Sequence, residues 1–396
     1  MKRIIYIGSL YDADVIKQLI ALGSKVDFPS HNFQSALLEG MSTYVEQISV
    51  ITALKTSPFP RIKKLFFADK CFELRNGCKA MMVGRVNIPI INLFYKYFRV
   101  KKYLKNLLSN EEENYVIVYG PHTPFLKPVY DLHSKYRIKS CLIIPDLPEY
   151  MSSNQGKIFR YLKRIDSKLI NKSLGVFDCF APLSPWMKEK LPYGNKPWIQ
   201  IEGVYDNTVS YQDVKQNDVR SILYTGKIDK RYGIKDLLDA FEMIKAPNYE
   251  LWIRGNGDME PVIKQRMLQD KRIKLIPSMA KEELVHLQKS ARLLVNPLHG
   301  SEEFTRYFFP SKTLEYMGSG TPTLMCRLDC IPKEYDEFLF YFEDESISGM
   351  AKRIQEICEM PNEILNSLGA RAKEFVINHK NGKIQAGKII KLLNNI

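Results

Sequence analysis

One short segment carries most of the side chains suited to chemistry, and it runs from a loop into a helix. Pro310 suits the first turn of a helix, and the hydroxyls of Ser311 and Thr313 can accept hydrogen bonds from first-turn amides. Such amides attract a phosphate, and Lys312 adds a positive charge beside them. Glu315, one turn on, offers a carboxylate suited to ribose hydroxyls. The segment therefore indicates a nucleotide site, although Lys312 and Glu315 taken alone also fit solvated helix charges.

The residues around this helix predict its end and the element after it. Leu314 and Met317 lie three apart on an apolar stripe, and the Gly-Ser-Gly run 318–320 can end the helix at a positive φ. Residues 322–326 then read as a short buried strand. We expect the stretch from Phe309 through Leu314 to Glu315 to line the site.

A second basic turn lies between a predicted strand and an amphipathic helix. Gly226 permits close approach of the backbone, and Lys227 and Arg231 can neutralise a diphosphate. A loop after a first parallel strand is where ligands bind in such folds. We predict Lys227 and Arg231 as binding and catalytic residues, with a charged surface turn as the alternative.

Three further residues are candidates through their position at a strand end. Gly255, Asn256 and Gly257 follow a predicted strand, and a lone Gly-x-Gly is a weak signal that usually marks only a tight turn. We add these residues to the predicted phosphate and ribose site.

The first half of the chain offers weaker candidates at its own strand ends. Asp146 follows a predicted strand, where it either lines a cleft or forms an Asx-turn or helix cap. His122 ends another strand and can contact a substrate, and Gly8 and Ser9 end the first one. We predict these four residues on the side that would bind a second substrate, with Asp146 as a catalytic candidate.

The elements that position these residues predict an α/β fold with parallel sheets. Apolar runs alternate with helical patterns, which is typical of βαβ units and of two Rossmann-like domains facing each other across a cleft. The predicted domains are 1–204 and 220–375, with a polar linker at 205–219 and a final helix, 376–396, near the domain junction. The predicted strands are 3–8, 45–53, 115–120, 140–145, 179–184, 198–202, 221–226, 249–255, 273–277, 291–297 and 322–326.

Composition narrows the class of protein. The 396 residues carry a net charge of +14, and residues 1–150 hold 21 Lys and Arg against 13 Asp and Glu. No run has the roughly 18 apolar residues that a membrane-spanning helix needs. The seven cysteines match no metal-binding spacing and read as reduced thiols, so we expect a cytoplasmic protein with no metal site.

Basic stretches in the first half leave several interpretations open. Residues 61–64, 96–105 and 157–172 are solvated helix faces, or they contact anionic lipid headgroups or a lipid-linked diphosphate at the inner face of the plasma membrane. No nucleic-acid-binding motif is present. The chain also lacks the P-loop, GxGxxG, HExxH and Ser-His-Asp patterns, which argues against kinase-like, dinucleotide-binding and hydrolase functions.

Together these segments resemble the retaining GT-B glycosyltransferases of family 4, especially a bacterial branch associated with surface-polysaccharide assembly. The resemblance covers most of the chain and is strongest from Ser221 to Met325. In that family a Gly-Arg turn and a Lys-Gly pair bind the donor phosphates, and this chain has Gly226-Lys227 and Tyr232-Gly233 at those places. Lys227 keeps the charge of the family arginine but not its bidentate fork. Glu315 matches the second glutamate of the family's Glu-x7-Glu motif, which binds the donor ribose, and Tyr307 stands in place of the first.

The resemblance implies transfer of a sugar from a nucleoside-diphosphate sugar to a glycan or polyprenyl-diphosphate-linked acceptor, with retention. The arrangement of cations requires no metal, and we expect no other cofactor. The resemblance also implies a role in capsule, exopolysaccharide or O-antigen synthesis. Two alternatives remain open: a non-catalytic partner subunit, which would account for the missing first glutamate, and a nucleotide-sugar epimerase.

Overall fold

Contacts between residues divide the chain into two compact units. The computed structural model describes residues 3–149, 157–206 and 219–396. Met1–Asp206 and Asn381–Ile396 form the first unit, and Asn207–Lys380 form the second. Most of the linker predicted at 205–219 lies outside the described residues.

Strands occupy most of the apolar runs of the sequence. The apolar run Arg3–Gly8 forms a strand with the predicted bounds, whereas the predicted strand at 198–202 reduces to a single bridge between Phe180 and Trp198. The strands are β1 (Arg3–Gly8), β2 (Gln47–Ala53), β3 (Phe66–Phe67), β4 (Lys70–Glu73), β5 (Lys79–Val83), β6 (Arg85–Val86), β7 (Asn114–Tyr119), β8 (Ile138–Ile144), β9 (Cys179–Pro182), β10 (Arg220–Lys227), β11 (Tyr249–Asn256), β12 (Ile273–Ile276), β13 (Leu293–Asn296), β14 (Thr323–Met325) and β15 (Phe340–Tyr341).

Helices alternate with these strands, as expected for βαβ units. They are α1 (Ala13–Ala21), α2 (Phe28–Met41), α3 (Pro89–Leu107), α4 (Thr123–Leu132), α5 (Lys157–Leu174), α6 (Ile234–Met243), α7 (Glu260–Gln269), α8 (Lys281–Ser290), α9 (Ser311–Ser319), α10 (Ile347–Glu359), α11 (Asn362–His379) and α12 (Gly382–Asn394). Among the described residues, none of these helices combines the length and apolar character needed to span a membrane.

The first unit is built on a seven-stranded sheet in the order β4-β5-β2-β1-β7-β8-β9. All neighbouring strands in it are parallel except β4, which pairs antiparallel with β5. The helices α3 and α5 both pack against α4. The carboxyl ends of β1, β2, β7 and β8 therefore meet along one edge of the sheet.

The second unit is a six-stranded, all-parallel sheet in the order β12-β11-β10-β13-β14-β15. Its strands are buried apolar runs, which is the pattern of a parallel sheet covered on both faces. With one mostly parallel and one all-parallel sheet of the Rossmann type, the chain has the α/β fold class that its sequence predicts.

The end of the chain returns to the first unit. The helix α11 continues to His379, so the boundary expected at 375 falls inside a helix and the crossing comes at residues 380–381. The helix α12 packs against α2, where the backbones of Gly40 and Gly382 approach so closely that a Cβ on Gly40 would lie 2.0 Å from the Gly382 carbonyl oxygen. The amide of Gln385 also donates to Glu202 at 3.0 Å.

Candidate functional site

The helix α9 begins one residue later than the sequence indicates. Pro310 is the residue before the first helical turn and has an extended conformation, and no side chain caps the helix. The expectation that Ser311 caps a first-turn amide is therefore wrong, because Ser311 is already the first helical residue and its side chain is exposed. Gly320 ends the helix with φ of 80°, as the glycine run predicts.

One face of α9 anchors the helix to the sheet. The Tyr316 hydroxyl accepts a hydrogen bond from the Thr225 backbone amide at 2.8 Å, which joins α9 to the end of β10. The side chains of Thr313 and Leu314 are buried in the core, and so is Phe309, whose ring lies 5.7 Å from that of Tyr335. These predicted site residues position the helix, and their side chains do not form the surface of a site.

The Lys312 side chain lies against Gly226 and Tyr224 of β10. Its ammonium donates to the Tyr224 hydroxyl at 2.8 Å and lies 4.3 Å from the centre of that ring. Burial lowers the pKa of Lys312 to about 8. A Cβ added to Gly226 would lie 2.0 Å from Lys312 Cε, so the close approach expected at Gly226 is made by this side chain. The Lys312 ammonium is held in one place before any ligand arrives.

Lys227 shares an aromatic neighbour with Lys312. The Lys227 ammonium lies 5.8 Å from the ring centre of Tyr232, and that of Lys312 lies 5.5 Å from it. Lys227 also forms an ion pair with Asp229, and its side chain is exposed. The structure thus brings Lys227 and Lys312 together around Tyr232, the residue at the place of the family lysine.

Arg231 lies farther out on the same turn. Its guanidinium is 5.4 Å from the ring centre of Phe304, and its side chain is exposed. Arg231 therefore contacts an aromatic ring of the short 3-10 helix Glu303–Tyr307, which precedes α9.

The predicted glycines pack the strand ends tightly. Gly226 and Gly255 are partners across β10 and β11, and a Cβ on Gly255 would lie 1.6 Å from the Gly226 carbonyl oxygen. A Cβ on Gly257 would lie 2.1 Å from the Ile228 carbonyl oxygen. Asn256, between them, is exposed. Glycine is required here for backbone packing, and Asn256 is the residue of the three whose side chain is free to face a ligand.

Glu315 is exposed on α9, one turn after Lys312. Neighbouring protein atoms partly exclude water from its carboxyl, and this desolvation raises the pKa of Glu315. The positive charges of Lys312, Lys281 and Arg254 act in the opposite direction. A carboxylate surrounded by cations and open to solvent can accept hydrogen bonds from ligand hydroxyls. Tyr307, at the place of the family's first glutamate, is buried and has a phenol side chain, so this position provides no second carboxylate.

The candidates of the first unit differ in accessibility. Ser9 is buried, and its amide donates to Gln34 Oε1 at 2.9 Å. A Cβ on Gly8 would lie 2.1 Å from that same oxygen. The Gln34 side chain fills the space next to Gly8 and accepts a hydrogen bond from the Ser9 amide. The expectation that the side-chain positions of Gly8 and Ser9 face a substrate is therefore wrong.

His122 and Asp146 remain near the carboxyl edge of the first sheet. Burial and the positive charges of Lys96 and Lys55 lower the pKa of His122 to about 3, so its ring is neutral at physiological pH. The Asp146 side chain is exposed, and the surrounding protein raises the pKa of its carboxyl, with repulsion from Asp27 adding to the effect.

Sequence reasoning missed several residues of both units. Tyr224 and Tyr316 read as core residues, and no pattern in the sequence shows that their hydroxyls hold Lys312 and Thr225. Lys96 is buried, so the interpretation of 96–105 as solvated or lipid-contacting is wrong for this residue. Its spacing of four from Asn92 and Val100, both buried on α3, is the signal that could have found it.

One group of donors in the second unit has the spacing of a metal site. Single donor atoms of His299, Cys326 and Glu345 lie within 4.8 Å of one another. Both ring nitrogens of His299 already form hydrogen bonds, Nδ1 to Glu345 at 2.8 Å and Nε2 to Asp236 at 2.7 Å. These bonds account for the arrangement and raise the pKa of His299, against the effect of its burial.

A family comparison identifies the second unit. Residues 219–360 match the family model described as glycosyl transferases group 1. This segment contains Gly226, Lys227, Lys312 and Glu315. No curated protein is similar in sequence at a significant level.

Solved structures show the fold of the whole chain. Sucrose-phosphate synthase from Thermosynechococcus elongatus superposes with a TM-score of 0.68 at 14% identity, covering 100% of this chain and 99% of that one. HepE from Anabaena, solved with UDP, gives 0.67 at 11% identity with 100% of both chains covered. TarM from S. aureus, in complex with UDP and alpha-GlcNAc-glycerol, gives 0.63 at 11% identity, also over 100% of both chains.

The protein is a glycosyltransferase with the GT-B fold. In this glycosyltransferase the matched segment places two ammonium groups beside a glycine-lined strand end and a carboxylate one helical turn away. Such an arrangement can hold an anionic group at Lys312 and hydroxyl groups at Glu315.

Proposed function

We propose that the second unit binds a nucleoside-diphosphate sugar and that the enzyme transfers the sugar to a glycan or lipid-linked acceptor. The observation that carries the proposal is the position of Lys312, which is fixed by Tyr224 against Gly226 at the carboxyl end of β10. Ligands of parallel α/β sheets bind at this edge. In this proposal the Lys312 ammonium binds phosphate oxygens of the nucleotide, and the Glu315 carboxylate binds its ribose hydroxyls.

The proposed chemistry follows from charge. When the nucleoside diphosphate leaves the sugar, negative charge develops on phosphate oxygens, and the cations Lys312, Lys227 and Arg231 stabilise it. These positions need no metal ion. In the first unit we propose Asp146 as the carboxyl that contacts the acceptor, because its side chain is exposed at the sheet edge.

Four more specific parts of the proposal rest on the resemblance to known proteins: the stereochemistry, the family, the donor base and the biological role. Retention of configuration and membership of family 4 are proposed from the resemblance of the motif around Glu315. A uridine nucleotide is the first donor to test, because HepE and TarM were solved with UDP. We also propose a role in surface-polysaccharide assembly from the same resemblance.

The proposed membrane contact has a structural basis in the first unit. On α3, the apolar side chains of Ile90, Ile91, Phe94 and Phe98 are each more than half exposed, and they lie on one face of the helix. An apolar face of this kind beside basic residues is typical of helices that lie in a membrane interface.

The helix α5 repeats this arrangement. Tyr161, Leu162, Ile165 and Leu169 are exposed with the same spacing of one, four and eight residues. Both helices flank α4, and α5 carries the exposed Lys168 between its apolar positions. We therefore propose that the face made by α3 and α5 rests on an anionic lipid surface.

A vesicle experiment tests this contact. The double variant Phe94→Ser and Phe98→Ser should bind phosphatidylglycerol vesicles at least tenfold more weakly than the wild type, because a fully buried ring contributes about 1.5 to 3 kcal/mol. Leu268→Ser is the matched control, since Leu268 is an exposed apolar residue of the second unit. Equal vesicle binding by all three proteins would contradict the contact.

A thermal-shift series with uridine, guanosine, thymidine and adenosine diphosphates tests the main proposal, because ligands that bind the native state raise its apparent stability. One diphosphate should stabilise the wild type and Glu374→Ala, a control at an exposed position of α11, but not Glu315→Ala. Binding of no diphosphate would favour a non-catalytic partner subunit. Turnover of a donor sugar in the absence of acceptor would favour an epimerase, and loss of transfer in EDTA would contradict metal-free chemistry.

A further inference from the structure

A buried lysine faces the inside of the first unit. Lys96 is 3% exposed and lies on the same face of α3 as the buried residues Asn92, Val100 and Leu104. This face packs against β2, β5 and β6. A lysine is almost never fully buried unless its charge is compensated.

The charged groups that act on Lys96 are both positive. No carboxylate of the described residues forms an ion pair with Lys96. Its charged neighbours are the cations Arg85 and Lys55, which act with burial to lower the pKa of Lys96 to about 7. The Oδ1 atom of Asn92, one turn before Lys96, is also buried without a hydrogen-bond partner in the structure.

The neighbouring groups leave an excess of positive charge. Arg85 is buried and its Nε donates to Asn87 at 2.8 Å. Lys55 pairs with Asp27 at 3.4 Å, with both side chains about half exposed. Lys96 therefore stays unmatched beside two other cations.

The cluster lies where a parallel sheet binds ligands. Lys55 comes two residues after the carboxyl end of β2, and His122 comes three residues after that of β7. Lys96 and Lys55 both lower the pKa of His122, which places the three side chains in one electrostatic environment. Carboxyl strand ends of open α/β sheets are the usual ligand edge.

We propose that Lys96, with Arg85 and Lys55, binds the phosphate or diphosphate group of the acceptor substrate. The proposal rests on the glycosyl transfer proposed above and names the acceptor class. A neutral glycan would leave the buried ammonium uncompensated, whereas a phosphate provides several acceptor oxygens for cations that approach from different elements. The acceptor is thus a lipid-linked diphosphate or a soluble sugar phosphate, and the apolar outer face of α3 favours the lipid-linked form.

The test uses binding and stability together in the full-length protein. Inorganic pyrophosphate should bind the wild type and Lys102→Met, a control at an exposed position of the same helix, and should bind Lys96→Met at least tenfold more weakly. Replacing an uncompensated buried charge with a methionine should leave the melting temperature of the ligand-free protein unchanged or higher. A lower melting temperature for Lys96→Met would show a structural partner and overturn the proposal, as would unchanged pyrophosphate affinity.

A second variant separates this site from the donor site, which also binds phosphates. Lys312→Met should bind nucleoside diphosphates at least tenfold more weakly than the wild type and keep a pyrophosphate site, whereas Lys96→Met should keep the wild-type affinity for nucleoside diphosphates. Loss of both ligands in either variant would contradict two separate sites. If no nucleotide binds the wild type, the proposed function is refuted. The Lys96 proposal is decided separately, by the pyrophosphate affinities of the wild type and Lys96→Met.

Two further probes distinguish the sources of the phosphate. Geranyl diphosphate that binds more tightly than glucose 6-phosphate, with both affinities reduced in Lys96→Met, supports a lipid-linked acceptor. The reverse order supports a soluble sugar phosphate. Binding of neither probe, and of no pyrophosphate, overturns the anion site.

Discussion

Replacing Lys312 with methionine separates what this side chain does for binding from what it does for stability. The ammonium is held before ligand arrives, at 2.8 Å from the Tyr224 hydroxyl and 4.3 Å from the centre of its ring. Binding a phosphate therefore needs little further ordering of the side chain. A hydrogen bond from a charged group contributes about 1.5 to 3 kcal/mol, so the Kd for the nucleoside diphosphate should rise roughly 10- to 150-fold in Lys312→Met.

The stability of the ligand-free protein should not fall in Lys312→Met, in contrast to its affinity for the nucleotide. The pKa of Lys312 is lowered to about 8 by burial, which means that the fold disfavours its charge. The Tyr224 hydroxyl keeps a partner in the variant, because it donates to the Lys227 carbonyl oxygen at 2.6 Å. We therefore expect the melting temperature of ligand-free Lys312→Met to equal or exceed that of the wild type.

Calorimetric titration at several pH values completes this test. The wild-type affinity should fall above pH 8, by up to about tenfold for each pH unit, because the free ammonium loses its proton there. Lys312→Met should show no such dependence. Lys352→Met is the control, since Lys352 is exposed on α10. A Kd for Lys312→Met within twofold of the wild type would refute the placement of the phosphate site.

Two further variants test the surroundings of the site. Gly226→Ala should strain a backbone whose φ is 142° by about 1 to 3 kcal/mol, and it should displace the Lys312 side chain. We therefore expect the melting temperature to fall by roughly 2 to 4 °C for each kcal/mol and nucleotide binding to weaken. Calorimetry that shows neither change would count against the close approach of Lys312 to Gly226. His299 has a raised pKa, so its bonds to Asp236 and Glu345 stabilise the fold fully below its unfolded pKa of about 6.5, and this stability is lost as pH rises through the higher folded value. Urea unfolding of His299→Gln should accordingly show less loss of stability than the wild type as pH increases, and parallel curves would contradict that role.

Local patterns in the sequence were enough to predict much of the fold. The apolar run of β1 has the predicted bounds, and Gly320 ends α9 with the positive φ that its glycine run indicates. These features depend on neighbours within a few residues, which the sequence displays directly. The hairpin of β4 and β5 was not predicted, because β4 is only partly buried and has no continuous apolar run.

The sequence by itself determined the residue types at the proposed donor site, since Gly226, Lys312 and Glu315 stand in a recognisable order along the chain. Only the tertiary structure decided which atoms meet. Lys312 meets Tyr224 across 88 positions of sequence, and Lys96 is buried although it begins a basic run. Contacts between distant elements depend on how helices pack on a sheet, and a single sequence does not display that packing. The same physical reason explains why the sequence showed the charge of Lys96 but not its burial.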